Sequence, residues 1–152
     1  MKAMIFLYEV APASTARTEN VLDASSFVSA ALKANSLPER ALLRAVSPPS
    51  RLILSQAVED EYREVIFRSK FDRFVSVERR QRILDIAVVA SERIEPTEAV
   101  RDCRDPKDDK YLALAAAGAA DVIVSSDVRH LLSMHPWRGI PILSPANYLA
   151  LP

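Results

Sequence analysis

Four acidic residues stand where the surrounding apolar pattern predicts the protein interior: Asp23, Glu61, Asp109 and Asp127. A carboxylate normally faces water, because burying its charge is costly unless it is paired or bound to a cation. Gathered at one point, such groups repel. Two ionised carboxylates about 5 Å apart cost about 3 kcal/mol at an effective dielectric of about 20. A divalent cation offsets that repulsion, and all-oxygen ligation favours Mg²⁺ or Mn²⁺ over zinc. Ions of this kind position phosphates, activate water and neutralise the charge that develops in phosphodiester cleavage.

Each acid is singled out by its neighbours. Asp23 ends the apolar run Val21-Leu22, and Asp127 follows Val122-Ile123-Val124. In a parallel α/β sheet the carboxyl edge of the strands is where ligands bind. Either aspartate could equally be a helix N-cap. Glu61 lies in a helical pattern. At 100° per residue it falls within the apolar arc of Ala57, Val58, Tyr62 and Val65, while Glu59, Asp60 and Arg63 point elsewhere. The competing reading is a glutamate at the edge of that stripe, turned outward or paired with an arginine. Asp109 sits in the first turn of a helix whose body, Tyr-Leu-Ala-Leu-Ala-Ala-Ala, is apolar all round and therefore buried. It stacks beneath Leu112 and Ala113 and tracks the buried face. Asp105 reads as an N-cap, and Asp108 as a capping or supporting acid.

Short apolar strands alternate with longer helical patterns, the signature of βαβ units and a parallel sheet. The first strand opens at Val21-Leu22. Ser25-Ser26 can cap a helix over 27–33, and Pro38 stands early in a second helix ending near Val46. A strand at 52–54 leads through Ser55 into a helix reaching about residue 67, and another helix covers 77–91. A short strand is expected at 93–95. Asp105-Pro106 starts a helix that runs to Ala117 and stops at Gly118. A strand over 121–124, a short helix over 128–132, an edge strand over 140–143 containing Pro141 and a terminal helix from Ser144-Pro145 complete the chain. Residues 1–18 read as an extension to a domain spanning 19–152. They are either a loose tail or a strand or partner-binding arm over 3–10.

Composition narrows the function classes. The chain has 152 residues, 49% hydrophobic and 7% aromatic, so one domain with a largely aliphatic core is expected. Net charge is zero, so contact with phosphate must be local. Cys103 is the only cysteine, which excludes an internal disulfide and a cysteine zinc site and fits a reducing cytoplasm. The apolar run at 4–8 is too short for a membrane span. The chain has two glycines, too few for a P-loop or dinucleotide fingerprint, and no serine elbow is present. His130 and His135 lack ligand-like spacing and read as surface or packing residues; Trp137 reads as packing. Between residues 63 and 82, Arg63, Arg68, Lys70, Arg73, Arg79, Arg80 and Arg82 are interleaved with Phe67, Phe71 and Phe74. This segment is either a solvated helix face or a surface that holds an RNA backbone and stacks bases. Arg101 and Arg104, beside the acidic stretch, are the better candidates for touching phosphate.

The stretches that hold these acids resemble the PIN-domain family, in particular its VapC-like, toxin-type subfamily. They are Val21-Leu22-Asp23-Ala24-Ser25-Ser26-Phe27, the segment 55–66 with Glu61, Cys103-Arg104-Asp105-Pro106-Lys107-Asp108-Asp109-Lys110-Tyr111-Leu112-Ala113, and Ala120-Asp121-Val122-Ile123-Val124-Ser125-Ser126-Asp127. The resemblance implies a three-layer α/β/α fold with a parallel sheet of about five strands. It implies cleavage of single-stranded RNA with Mg²⁺ or Mn²⁺, a homodimer, and inhibition by a cognate antitoxin in a type II toxin–antitoxin pair. By the same resemblance Asp23, Glu61, Asp109 and Asp127 form the metal site. The chain departs from the family where Ala24-Ser25 replaces the common Thr-Asn, with Ser25 as a substitute support for Asp23. It departs again at Ser126, where glycine is frequent and where a hydroxyl could bind metal or water. The alternative function is a catalytically weakened PIN-like module that acts by binding protein or RNA.

Overall fold

A computed structural model describes residues 17–152. The strand or arm expected over 3–10 lies outside the described residues. Five strands form one parallel sheet: β1 (Thr18–Leu22), β2 (Ser50–Leu54), β3 (Glu92–Arg93), β4 (Val122–Val124) and β5 (Ile142–Leu143). Their order is β3-β2-β1-β4-β5. The chain therefore builds outward from β1 to one side, then crosses back and builds to the other. At the reversal, between β1 and β4, the connecting segments leave in opposite directions and open a crevice beyond the strands' carboxyl ends. Leu22 pairs with Val124 across that boundary. Asp23 and Ser125 to Asp127 follow directly.

Helices flank the sheet: α1 (Ala24–Leu32), α2 (Leu37–Val46), α3 (Gln56–Ile66), α4 (Val77–Ala90), α5 (Asp109–Ala117) and α6 (Pro145–Leu149). Their starts are local chemistry. Ser36, Ser55, Ser76 and Ser144 each accept a hydrogen bond from a backbone amide of the first turn, satisfying donors the helix leaves unpaired. Helix α1 packs on α2 and α3, α2 on α6, and α5 lies against β1 and β4. The core is aliphatic and tight. Val21, Leu22, Leu52, Ile53, Leu54, Ile123 and Val124 are buried, and Phe27 stacks on Tyr62 with ring centroids 4.1 Å apart.

Several expected boundaries shift. Helix α1 begins at Ala24 rather than residue 27, because Asp23 itself caps it by accepting the Ser26 amide. The segment 106–108 is a 3₁₀ turn ahead of α5 rather than its first α turn. The short helix expected over 128–132 is a run of turns leading into a 3₁₀ turn at Leu132–Met134. Gly118 does end α5, but its φ of −93° is one any residue adopts. What requires glycine there is space: a Cβ would lie 2.4 Å from the Ile53 δ-methyl group. Strand β5 is at the sheet edge, as Pro141 led us to expect.

Candidate functional site

Asp23 is 3% exposed. One carboxylate oxygen accepts the Ser26 amide at 2.9 Å, and the other accepts the Ser125 hydroxyl at 2.5 Å. The Ser25 hydroxyl lies 2.8 and 2.9 Å from the two oxygens. These donors stabilise the charged form, yet burial outweighs them and pushes the Asp23 carboxyl above its ordinary range. Ser25 thus supports Asp23, and it also accepts the Ser126 amide at 3.1 Å. The Ser126 hydroxyl is 2.9 Å from that of Ser26. The ends of β1 and β4 are stitched together by hydroxyl groups.

Ser125 couples two acids. While donating to Asp23 it accepts the Asp127 amide at 3.0 Å. Asp127 accepts the Arg129 amide at 3.0 Å through one oxygen and meets His130 Nδ1 at 2.8 Å through the other. His130 Nδ1 also lies 3.8 Å from Asp108. The expectation that His130 is merely a surface or packing residue is therefore corrected: its ring stands between two acids. His135 has a structural part, accepting the Ile142 amide at 2.9 Å and tying β5 to the preceding loop. Trp137 is buried and donates to Asp102 at 2.9 Å.

Glu61 reaches the start of α1 through a relay. The Tyr111 hydroxyl accepts the Ala24 amide at 3.1 Å and donates to Glu61, while Lys110 Nζ lies 3.1 Å from the other Glu61 oxygen. Burial and the nearby Glu61 charge hold the Tyr111 hydroxyl protonated far above its ordinary range. It therefore remains the donor in this contact.

Asp108 and Asp109 stand in different surroundings. Asp109 turns back to accept the Cys103 amide at 2.7 Å, which fixes the preceding loop. Asp108 carries the repulsion. Burial, then the charges of Asp105, Asp23, Asp127 and Glu61, push its carboxyl up to about 6. The physical reason is the 3₁₀ turn. With about three residues per turn instead of 3.6 it changes the phase at which side chains leave the axis ahead of α5, which bears on Asp108; Asp109 is the first residue of α5 itself, and the Cys103 amide takes its carboxylate. Asp105 caps this turn by accepting the Lys107 amide at 3.0 Å. Asp105, Asp108 and His130 have ligand atoms within 4.8 Å of one another. Arg101 and Arg104 are exposed on the same loop.

Ser125, Tyr111 and His130 are the contributors that sequence reasoning passed over. A serine continuing β4 into the crevice was a usable signal for the first. Tyr111 could be found only once α5 was placed beside α1 and α3.

The donor set fits a hard divalent cation. Asp23, Asp108, Asp127 and Glu61 offer carboxylate oxygens, and among the described residues no arginine pairs with any of them. Lys110 beside Glu61 and His130 beside Asp127 and Asp108 offset part of this charge, and an oxygen-ligated ion would offset the rest.

A parallel sheet flanked by helices, with acids and hydroxyls gathered at its reversal point, defines an α/β protein with an acidic crevice suited to a cation and a phosphate. The sequence model of the family described as PIN domain matches residues 19–129, and the chain belongs to that family, whose members are generally metal-dependent nucleases. No curated protein matches the chain.

Proposed function

We propose that this chain is a Mg²⁺- or Mn²⁺-dependent endoribonuclease that cleaves single-stranded RNA, and that it is the toxin of a type II toxin–antitoxin pair. The observation that carries the nuclease reading is that Asp23 and Asp127 follow the neighbouring strands β1 and β4, while Asp108, whose carboxyl is pushed up by burial and then by the charges of Asp105, Asp23, Asp127 and Glu61, has a ligand atom within 4.8 Å of those of Asp105 and His130. Asp23 would hold the ion directly, since its carboxylate is immobilised by Ser25, Ser26 and Ser125. Asp108 and Asp127 would complete the carboxylate set. Asp109 would act by anchoring the loop at Cys103. Glu61, held by Tyr111 and Lys110, would orient the attacking water and accept its proton. His130 would fix the orientation of Asp127, and Arg101 and Arg104 are available to the RNA backbone. When bound, the ion supplies charge neutralisation at the phosphodiester and activation of the water.

The toxin assignment, the cognate antitoxin, the homodimer and the cytoplasmic setting rest on the toxin-type resemblance of the motifs. Among the described residues no helix is long and apolar enough to cross a membrane. The test uses the purified chain with labelled single-stranded RNA, Mn²⁺ or Mg²⁺, and an EDTA control. Ion-dependent cleavage that Asp23→Asn and Asp127→Asn abolish, with the fold retained, is expected. Wild-type protein that leaves RNA intact with either ion refutes the nuclease reading. For the toxin role, induced expression should arrest growth of a bacterial host, and the adjacent small open reading frame should relieve the arrest. Undisturbed growth with active enzyme removes that role alone.

A further inference from the structure

Beside the acidic crevice lies an open cavity of about 230 Å³, lined by Ala24, Ser25, Val28, Val65, Arg68 and Phe71. We propose that it is a nucleobase subsite, which receives one base next to the phosphate held at Asp23 and stacks it on Phe71. The inference rests on the nuclease reading above and names how that site takes its substrate.

The cavity adjoins the site through Ser25. Ser25 forms part of its wall, and the same residue's hydroxyl lies 2.8 Å from Asp23. An occupant is therefore joined to whatever group sits at the acids, and the chemistry of a divalent-ion site selects a phosphate. The volume is below the about 300–1,000 Å³ of pockets for drug-sized ligands. It suits one flat ring system and is too small for a helix. Walls of Val28, Val65 and an aromatic ring offer apolar contact and a stacking face, which every base can use.

The cavity wall is also held in place. Phe71 ends the 3₁₀ turn Ser69–Phe71, and its carbonyl accepts the Phe74 and Val75 amides at 3.0 and 3.2 Å. The neighbouring Asp72 is tied at 2.9 Å to the buried Arg80, which also donates to the Ile66 carbonyl at 3.2 Å. The rim is cationic. Lys70 Nζ stands 5.1 Å from the Phe71 ring centroid. Arg68 pairs with Glu64 in an exposed contact of 2.7 Å, of a kind worth little in water. An RNA phosphate can take that guanidinium with charge-assisted hydrogen bonds.

The probe is a labelled single-stranded RNA whose cleavage position has been mapped with the wild type. It is compared with versions carrying an abasic nucleotide one or two positions to either side. Wild-type kcat/KM should fall ~10-fold for one abasic position, within the range for stacking a base on an aromatic ring. Phe71→Leu should cleave intact RNA ~10-fold more slowly and show no further loss at that position, while Phe71→Tyr should behave as the wild type. Val28→Phe, which fills the cavity without emptying the wall, should match Phe71→Leu and covers the case in which that variant folds poorly. An unchanged abasic penalty in Phe71→Leu and Val28→Phe overturns the subsite, as does a wild type indifferent to every abasic position. Unaltered RNA kinetics in both variants, with loss of a bound protein inhibitor, overturns it in favour of protein docking. Wild-type protein that cleaves no RNA is a different result and removes the nuclease reading itself.

Discussion

Acidic residues in this chain live in two contrasting settings. On the helical face away from the crevice they are matched. Glu39 receives Arg79 at 2.5 Å, and Glu59 receives both Arg63 and Arg93. Hydrogen bonds from Arg79 and Arg93 respectively hold these glutamates below their ordinary range. At the reversal point of the sheet the opposite holds. Asp23 and Asp108 are pushed upward by burial, and Asp108 further by its acidic neighbours. One polypeptide answers the same electrostatic problem in two ways. Where only stability matters it supplies a guanidinium; at the crevice Lys110 and His130 offset only part of the charge, and a bound cation would offset the rest.

The sharpest test of that contrast exchanges adjacent residues. Asp108→Asn removes a proposed ligand, and several kcal/mol of transition-state stabilisation should go with it, a loss of at least ~1,000-fold in kcat/KM. Asp109→Asn should lose far less activity and chiefly loosen the loop at Cys103. Single-turnover cleavage of labelled RNA with saturating Mn²⁺ distinguishes them. Equal activity of Asp108→Asn and wild type, with Asp109→Asn inactive, would restore the helical-wheel assignment.

On the matched side, the largest effect should come from Arg80. It is 1% exposed and carries the Asp72 carboxylate and the Ile66 carbonyl. Asp72 is 62% exposed, so the loss lies in the packing of the buried Arg80 stem and in the Ile66 carbonyl left without its donor, and Arg80→Ala should cost about 3 kcal/mol. For a domain of this size that lowers the midpoint by roughly 10 °C, measurable by circular dichroism. A shift of only a degree or two would show that these pairs do not hold the fold.

This contrast bears on what could be read in the sequence. The ends of β1 and β4 were legible because an apolar run followed by an acid is a local pattern, and Asp23 and Asp127 stand at those ends. The wheel for α3 was legible only in part: Val58 and Tyr62 are buried as expected, but Ala57 is exposed, Glu61 is half-buried, and Glu59, expected to point elsewhere, is buried because Arg63 and Arg93 neutralise it. The choice between Asp108 and Asp109 was not legible, since a 3₁₀ turn has no distinct apolar signature yet resets the phase. Arg79 and Arg80 lay in a segment read as a solvated face or RNA surface. Their partners lie outside α4, Glu39 forty residues away and Asp72 eight residues back in the preceding loop, and no helical period marks either pair. Tyr111 and Ser125 escaped for the same reason, as each joins segments far apart along the chain.

A smaller effect concerns pH in the metal-free protein. Asp108 titrates near 6 in the folded state against an ordinary value of 3.8, so between these values the folded state binds more protons than the unfolded one. Its contribution therefore favours folding at low pH and is lost as pH rises through about 6. The lowered values of Glu39, Glu59 and Glu64 act below 4.5, outside this window. In EDTA the wild-type midpoint should fall by a few degrees from pH 5 to pH 7, and Asp108→Asn should flatten the fall. Saturating Mg²⁺ should restore stability at pH 7 in the wild type only. A metal-free profile unaffected by Asp108→Asn would break the claim that this acid bears the site's repulsion.

The smallest effect supplies the control. Arg138 and Glu98 pair at 3.1 Å, but both are substantially exposed. Water screens such a pair, and ordering two long side chains offsets much of the attraction, leaving about 0–1 kcal/mol. Glu98→Gln should therefore leave the midpoint within about 2 °C of wild type. Its importance lies in the difference from Arg80→Ala. If this exposed pair cost as much as the buried Arg80, stability would follow the number of ion pairs rather than the burial of the side chains that make them. The absence, among the described residues, of arginine partners around Asp23 and Asp108 would then no longer distinguish the crevice from an ordinary acidic surface.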